Sequence, residues 1–471
     1  MTAQPWVRAR PVSTARRAIM NAPIVPARRS RAAPARPGGF PVSSAAMGMP
    51  APVYDPRAVI DGRPPGRAPV GVIIGIVLAA LCVFLVFGIE LGESVATGHS
   101  TTPFFIALPL ALAPVPLLVG AVLFIDRLEP EPRLNLTFGF LWGAGIAALF
   151  AIIINTAGLE YITQPALGAS AGQYISATAG APVVEETLKG LFLVWLVRWR
   201  RQELDGPTDG IVYAAMVGLG FAMTENLGYY INALVSPVHR GVALLGYTFV
   251  LRGVLSPFLH PIFTSMTGIG AAYAASHRDA GWALPLGLVG AMCLHAMWNG
   301  LSIFGLAGTL VAYVILLCLL GVEYVIIRAD RRRIVGEITH YLPGYEPTGL
   351  VTPNDVRMLS SLKERRLARN WALSTGGLPA ATAMGNYQLA ATELALLHEK
   401  ARRGVLDRAG VEQRQQALLG LMQVARSAFL RRRPAPPPTP WTGPGASGFT
   451  RPSSYAAPMP RPVMPPGPGR R

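Results

Sequence analysis

Apolar residues along this chain neither alternate nor recur once per helical turn; they run. Continuous apolar stretches occupy residues 71–90, 103–125, 134–156, 178–197, 210–232, 255–275, 282–303 and 306–327. Each is near the roughly 20 residues that a helix needs to cross a bilayer core. Eight spanning helices are predicted, although only Phe304 and Gly305 separate the last two, and Pro257 and Pro261 disturb the sixth. Residues 1–69 carry eleven Arg, no Lys and no apolar periodicity, which predicts a disordered basic arm. That arm lacks the early apolar core of a cleavable signal peptide, so the first run is expected to remain as an anchor. Beyond residue 333 the pattern becomes that of a soluble segment. A helix is predicted over Asn354–Trp371, with Val356, Leu359, Leu362 and Leu367 on one face, and more helix over 386–430. The last 39 residues hold thirteen prolines and read as a disordered tail. The expected fold is an all-α, polytopic membrane bundle. Its parts are an arm (1–69), an eight-span domain (70–333), a cytoplasmic helical region (334–432) that rests on the bundle or membrane surface, and a Pro-rich tail (433–471).

Composition supports the same class. The chain is 51% hydrophobic and 14% charged, against roughly 25% charged in soluble domains, so a soluble enzyme is excluded. A net charge of +17 suggests nucleic-acid binding until it is mapped, for only nine of the 42 basic residues lie between positions 70 and 327. Basic tails around an apolar middle fit cytoplasmic retention instead, and no nucleic-acid partner is expected. Arg127 and Arg133, then Arg198, Arg200 and Arg201, then Arg278, then Arg328 and Arg331–Arg333 fall in alternate loops. This predicts a multi-pass plasma-membrane protein with both termini in the cytoplasm; Arg240 and Arg252, read as flanking the fifth-to-sixth loop, oppose it. Cys82, Cys293 and Cys318 have no metal-ligand spacing and read as packing residues.

Charge inside hydrocarbon is expensive unless paired or wetted, which makes intramembrane carboxylates and histidines functional candidates. Glu185, Glu186 and Lys189 lie in the fourth run, Glu225 and Asn226 in the fifth, His260 in the sixth, and His295 and Asn299 in the seventh. With a rise of 1.5 Å per residue, all four runs place these groups roughly 8 to 12 Å below the outer boundary. Glu185 and Lys189 are four apart and can pair, while Glu186 points about 100° away toward water or a metal. His295 and Asn299 are also four apart and suit an oxyanion. Each residue has a plainer role: an ion pair for Glu185 with Lys189, a cap at a kink for Glu225, an interfacial histidine at 260, an interhelical hydrogen bond for Asn299. Their common depth favours a single site. The first three runs are read as contributing nothing matching, and His239, His277, His340 and His398 are assigned no role. In the third run, Gly139 and Gly143 suit close helix packing.

These residues in this order resemble the PrsW family of intramembrane proteases, relatives of the CAAX prenyl endopeptidases. The matching elements are Asp126-Arg-Leu-Glu-Pro-Glu-Pro132, Glu185-Glu186-x-x-Lys189, Phe221-x-x-x-Glu225-Asn226, the His260 segment and His295-x-x-x-Asn299, covering about residues 75–345. The resemblance implies cleavage of membrane-anchored, anti-sigma-factor-like proteins near the outer leaflet. Two versions of the chemistry stay open. In one, Glu185 or Glu186 activates water, Glu225 and His260 share its proton, and His295 with Asn299 stabilises the oxyanion. In the other, Glu186, Glu225, His260 and His295 hold one divalent ion, zinc by donor type. The acidic turn at Glu129 and Glu131 is read as a Pro-stiffened loop rather than a catalytic element. A non-catalytic scaffold or a transporter using the same polar cluster is the rival reading. The sequence leaves the oligomeric state open.

Overall fold

The computed structural model describes residues 55–60, 69–235, 241–277, 279–404 and 408–430. Nearly all of the basic arm, the Pro-rich tail, His239, Arg240 and Arg278 lie outside the described residues. Among the described residues every regular element is helical.

Eight helical segments follow the eight apolar runs: α1 (Val70–Gly98), α2 (Thr102–Ile125), α3 (Arg133–Leu167), α4 (Ala181–Trp199), α5 (Pro207–Val235), α6 (Val242–Ser276), α7 (Ala283–Ser302) and α8 (Gly305–Tyr341). Seven of these regions are long and apolar enough to cross a membrane; α4 is the exception. Its 19 residues include Glu185, Glu186, Lys189 and Arg198, so the helix that carries most of the candidate chemistry is the one whose composition departs from a lipid-facing span. Helix α6 starts well before the predicted sixth run. It passes through a wide π-helical turn at Val250–Leu255 and a break at residues 256–258 before resuming at Leu259. Arg252 therefore sits within a helical segment and not in a loop.

Helix α5 is the centre of the bundle, with 94% of its most apolar window buried against 17% for α1, α2, α7 and α8. Small residues let its neighbours approach closely. A Cβ on Gly143 of α3 would lie 1.9 Å from the Val217 carbonyl oxygen, and one on Gly218 would lie 2.6 Å from the backbone nitrogen of Pro261. The second contact seats His260 directly against α5. The outward faces of α1, α2 and α8 expose Phe84, Leu85, Leu117, Phe124, Leu306 and Leu317, an apolar belt suited to lipid. Cys293 and Cys318 are exposed as well and Cys82 is half-buried, so none of the three fills the core as expected.

The predicted helix over Asn354–Trp371 is interrupted. Helix α9 (Pro353–Leu359) opens with a Thr352–Asp355 capping box, and the Ser361 side chain accepts from the Glu364 backbone to start α10 (Leu362–Arg402). Leu359 is buried but Leu367 is exposed, and Arg365 takes the inward position, donating to the carbonyls of Leu359 and Leu128 and to the Thr392 hydroxyl. Val356, Leu359 and Leu362 keep the expected face and pack on one core, but the continuous helix and the Leu367 position fail where Ser361 resets the helix. Helix α10, kinked at Gly377, packs with α11 (Arg408–Leu430) around Tyr387, Leu394, Leu418 and Met422. Leu128, Ile334 and Ile338 share that core and join it to the bundle.

The Asp126–Pro132 turn is a buried brace at this junction. Asp126 accepts from the Glu131 backbone at 2.9 Å, Glu131 accepts from the Tyr213 hydroxyl at 2.8 Å, and Lys400 reaches Asp205 at 2.5 Å. Burial pushes the Asp126 carboxyl up to about 7 and lifts Glu131 well above the usual carboxylate range.

Candidate active site

Four helices bring their ionisable side chains together. Lys189 is fully buried, and its ammonium lies 2.7 Å from Glu186 Oε1 and 3.8 Å from Glu185 Oε2. It also lies 2.9 Å from His260 Nδ1. Its principal carboxylate partner is therefore Glu186, not Glu185. Glu186 is saturated: the Thr264 hydroxyl donates to Oε2 at 3.0 Å, and His295 Nδ1 lies 3.0 Å from Oε1. Glu185 is held by the Asn155 amide, which donates to Oε1 at 3.2 Å, while its Oε2 is buried with no hydrogen-bond partner. That bare oxygen lies 3.9 Å from His295 Nε2.

The ring nitrogens of both histidines are sorted by these contacts. Lys189 donates to His260 Nδ1, so the His260 proton sits on Nε2, 2.8 Å from Glu225 Oε2. Glu225 is also clamped by Arg252, whose Nε donates to Asn226 Oδ1 at 2.9 Å and whose guanidinium lies 3.6 Å above the Tyr229 ring. Apolar walls fix the rings: Phe263 stacks on His295 at 5.2 Å, and Phe221 packs against His260 and beneath Lys189.

Glu185, Glu186, Lys189, Glu225, His260 and His295 are thus brought together, and Asn299 is not. Its amide donates to the Ala177 carbonyl at 2.8 Å, because one helical turn past His295 lifts it about 5.4 Å away from the carboxylates. The arrangement singles out Glu185, His260 and His295 as a set whose ligand atoms lie within 4.8 Å of one another. The sequence had put Glu186 and Glu225 in that set. Both are instead occupied, by Lys189 and Arg252, and each receives an imidazole N–H.

Sequence reasoning missed Arg252, Asn155 and Thr264. By apolar pattern alone Arg252 flanks the fifth-to-sixth loop. Asn155 is a lone amide in the third run, which is read for its small residues alone, although a polar residue there is the same kind of signal that marks the glutamates.

Three carboxylates face two fixed cations, which leaves one negative charge, an orphaned buried oxygen and two imidazoles anchored by carboxylates. Metal-binding histidines are usually tied by this kind of outer hydrogen bond, and two nitrogens and an oxygen are the donor types of a divalent ion such as zinc, but His260 offers its Nδ1 lone pair to an ion only once Lys189 releases it.

The PrsW family intramembrane metalloprotease model matches residues 131–323, which contain every residue of this cluster. Protease PrsW of Geobacillus kaustophilus is 30% identical over 164 residues, 35% of this chain and 64% of the relative. Protease PrsW of Clostridioides difficile is 29% identical over 159 residues, 33% of this chain and 62% of that protein. The chain therefore spans less than two thirds of either. Protease PrsW of Oceanobacillus iheyensis is 30% identical over 167 residues, which cover 34% of this chain and 71% of its own. No solved structure gives a significant match. The matched stretch holds the glutamate pair, the clamped Glu225 and both histidines, and the chain belongs to the PrsW family of intramembrane metalloproteases.

Proposed function

We propose that this chain is an intramembrane endopeptidase that hydrolyses peptide bonds of single-pass, anti-sigma-factor-like membrane proteins near the outer leaflet. In this reading it is a multi-pass plasma-membrane protein with cytoplasmic termini. The observation that carries the reading is the unpartnered Glu185 Oε2 facing His295 Nε2, inside a cluster drawn from four helices.

Glu185, oriented by Asn155, takes a proton from water as the water oxygen attacks the peptide carbonyl carbon. It returns that proton to the amide nitrogen as the C–N bond breaks. Lys189 neutralises Glu186, which with Glu225 fixes the tautomers and directions of His295 and His260. Phe221 and Phe263 exclude bulk water from the rings. In the alternative, metal-assisted version Glu185, His260 and His295 would instead hold a divalent ion, which when bound supplies Lewis acidity to water and carbonyl. A metal-free version is favoured by one observation: the Lys189 ammonium already occupies the His260 Nδ1 lone pair. The full-length protein in detergent or lipid, given a single-pass substrate, tests the proposal. Cleavage falling by about 10²-fold or more in Glu185→Gln and His295→Ala supports it; undiminished cleavage in both overturns it.

A further inference from the structure

Glu90 belongs to α1, well before the stretch that the family model matches. A carboxylate in the first apolar run of a membrane bundle is costly without a partner. Glu90 is 7% exposed, and its Oε2 is buried with no hydrogen-bond partner. It lines a cavity of about 270 Å³ that also contains Asn155, Glu185, Glu225, Tyr229 and Asn232. The shape follows from α5. Glu225, Gly228, Tyr229 and Asn232 fall at helical spacing on one face, and a Cβ on Gly228 would lie 3.0 Å from Glu90 Oε1. Glycine at 228 makes room for the Glu90 head one turn from Glu225. The cavity opens past Tyr229, Thr156 and Asn232, which are exposed, and reaches inward to Glu185.

Within this cavity Arg252 neutralises Glu225, but among the described residues no basic group pairs with Glu90. We propose that Glu90 is a specificity-determining residue: its carboxylate receives a Lys or Arg side chain of the substrate segment that enters the cavity toward Glu185. The proposal rests on the proteolytic reading for its substrate but concerns binding alone. A buried carboxylate with a free oxygen gains a charge-assisted hydrogen bond from such a side chain, whereas an apolar side chain at that position leaves the oxygen bare.

The experiment measures binding of single-pass peptides to the full chain in phosphatidylcholine nanodiscs, with His295→Ala included so that no peptide is consumed. The peptides carry one Lys or one Met at successive positions near their outer end. At one position Lys is expected to bind about 10-fold more tightly than Met. The isosteric Glu90→Gln is expected to bring that ratio to about one, and Glu90→Lys to transfer the preference to a peptide with Glu at that position. A ratio unchanged in Glu90→Gln, or no Lys preference at any position, overturns the proposal. A parallel arm follows hydrolysis of the Met peptide with His295 intact. Equal rates with and without Glu90→Gln support a role confined to selection, and a Met-peptide rate that collapses in Glu90→Gln contradicts it. Failure of the proteolytic reading would appear as no cleavage by the wild-type chain, and the binding ratio would still decide on Glu90.

Discussion

Lys189 and His260, 71 positions apart in the sequence, meet with the ammonium 2.9 Å from the imidazole Nδ1. The same ammonium holds Glu186 at 2.7 Å in a fully buried pair. Removing one member of such a pair leaves the other charge uncompensated, at a cost of about 3–5 kcal/mol. Lys189→Met is therefore expected to lower stability sharply. Lys189→Met with Glu186→Gln should recover much of that loss while remaining inactive, because the His295 and His260 contacts are not restored. Thermal unfolding of the single and double variants, set beside hydrolysis, checks this; additive losses would contradict it.

Arg252 grips Glu225 and Asn226 together. Arg252→Gln should reduce cleavage by about 10-fold or more, since desolvated charge pairs of this kind couple by about 1.5 kcal/mol or more. Arg252→Lys should recover only part of the rate, because a point charge cannot span both acceptors as a planar fork does. Full activity in Arg252→Gln would remove Arg252 from the positioning of Glu225.

Metal content separates the two versions of the chemistry. The metal-assisted version predicts about one divalent ion per purified wild-type chain, by elemental analysis, and loss of activity to a chelator. Glu185→Ala, His260→Ala and His295→Ala should each lose the ion, and Asn299→Ala should keep it, because its amide is engaged by Ala177. A metal-free wild-type protein with full activity would select the version in which Lys189 supplies the positive charge.

Gly218 couples packing to chemistry. A Cβ there meets the Pro261 and His260 backbone at 2.6 and 2.7 Å, whereas one on Gly190 meets the flexible end of Leu288 at 3.3 Å. Gly218→Ala should cost about 1–3 kcal/mol by overpacking and depress cleavage further by separating His260 from Glu225. Gly190→Ala should do neither, and comparing melting temperature and rate for the two tests the difference.

The brace at the other end of the bundle predicts a pH dependence. Burial lifts Asp126 from an ordinary 3.8 to about 7, so between these values the folded protein holds a proton that the unfolded chain releases. The stabilisation is complete below about 3.8 and is lost as pH rises through about 7. Thermal unfolding from pH 5 to 8 should show a decline that Asp126→Asn flattens; an unchanged slope in the variant would exclude Asp126 as its source.

The bundle was legible because spanning runs are long and continuous, and the glutamates and histidines stood out as polar positions within them. Their partners were harder to read. Which of two adjacent glutamates Lys189 chooses depends on where α6 presents His260 and Thr264, and sequence spacing within α4 cannot carry that information. Arg252 was hidden because a π-helical turn and a break extend α6 into what looked like a loop. Asn155 and Glu90 stand out less because each is a single polar residue in an otherwise apolar run. The single helix over 354–371 is broken, and Leu367 leaves the apolar face that Val356, Leu359 and Leu362 keep, because the Ser361 cap starts a new helix, a local signal that outweighed apolar periodicity.

The wide turn at Trp142–Ala147 in α3 fits an extra residue into the helix. It frees the Ala144 carbonyl for the Thr224 hydroxyl and aims the Trp142 indole at the Leu188 carbonyl. Everything after it is rotated by about 100° relative to an unbroken α-helix, and Asn155 meets Glu185 only in that phase. The number of residues in this turn is consequently as constrained as their identity: a one-residue deletion there would turn Asn155, about ten positions further along, away from Glu185 while leaving both side chains intact.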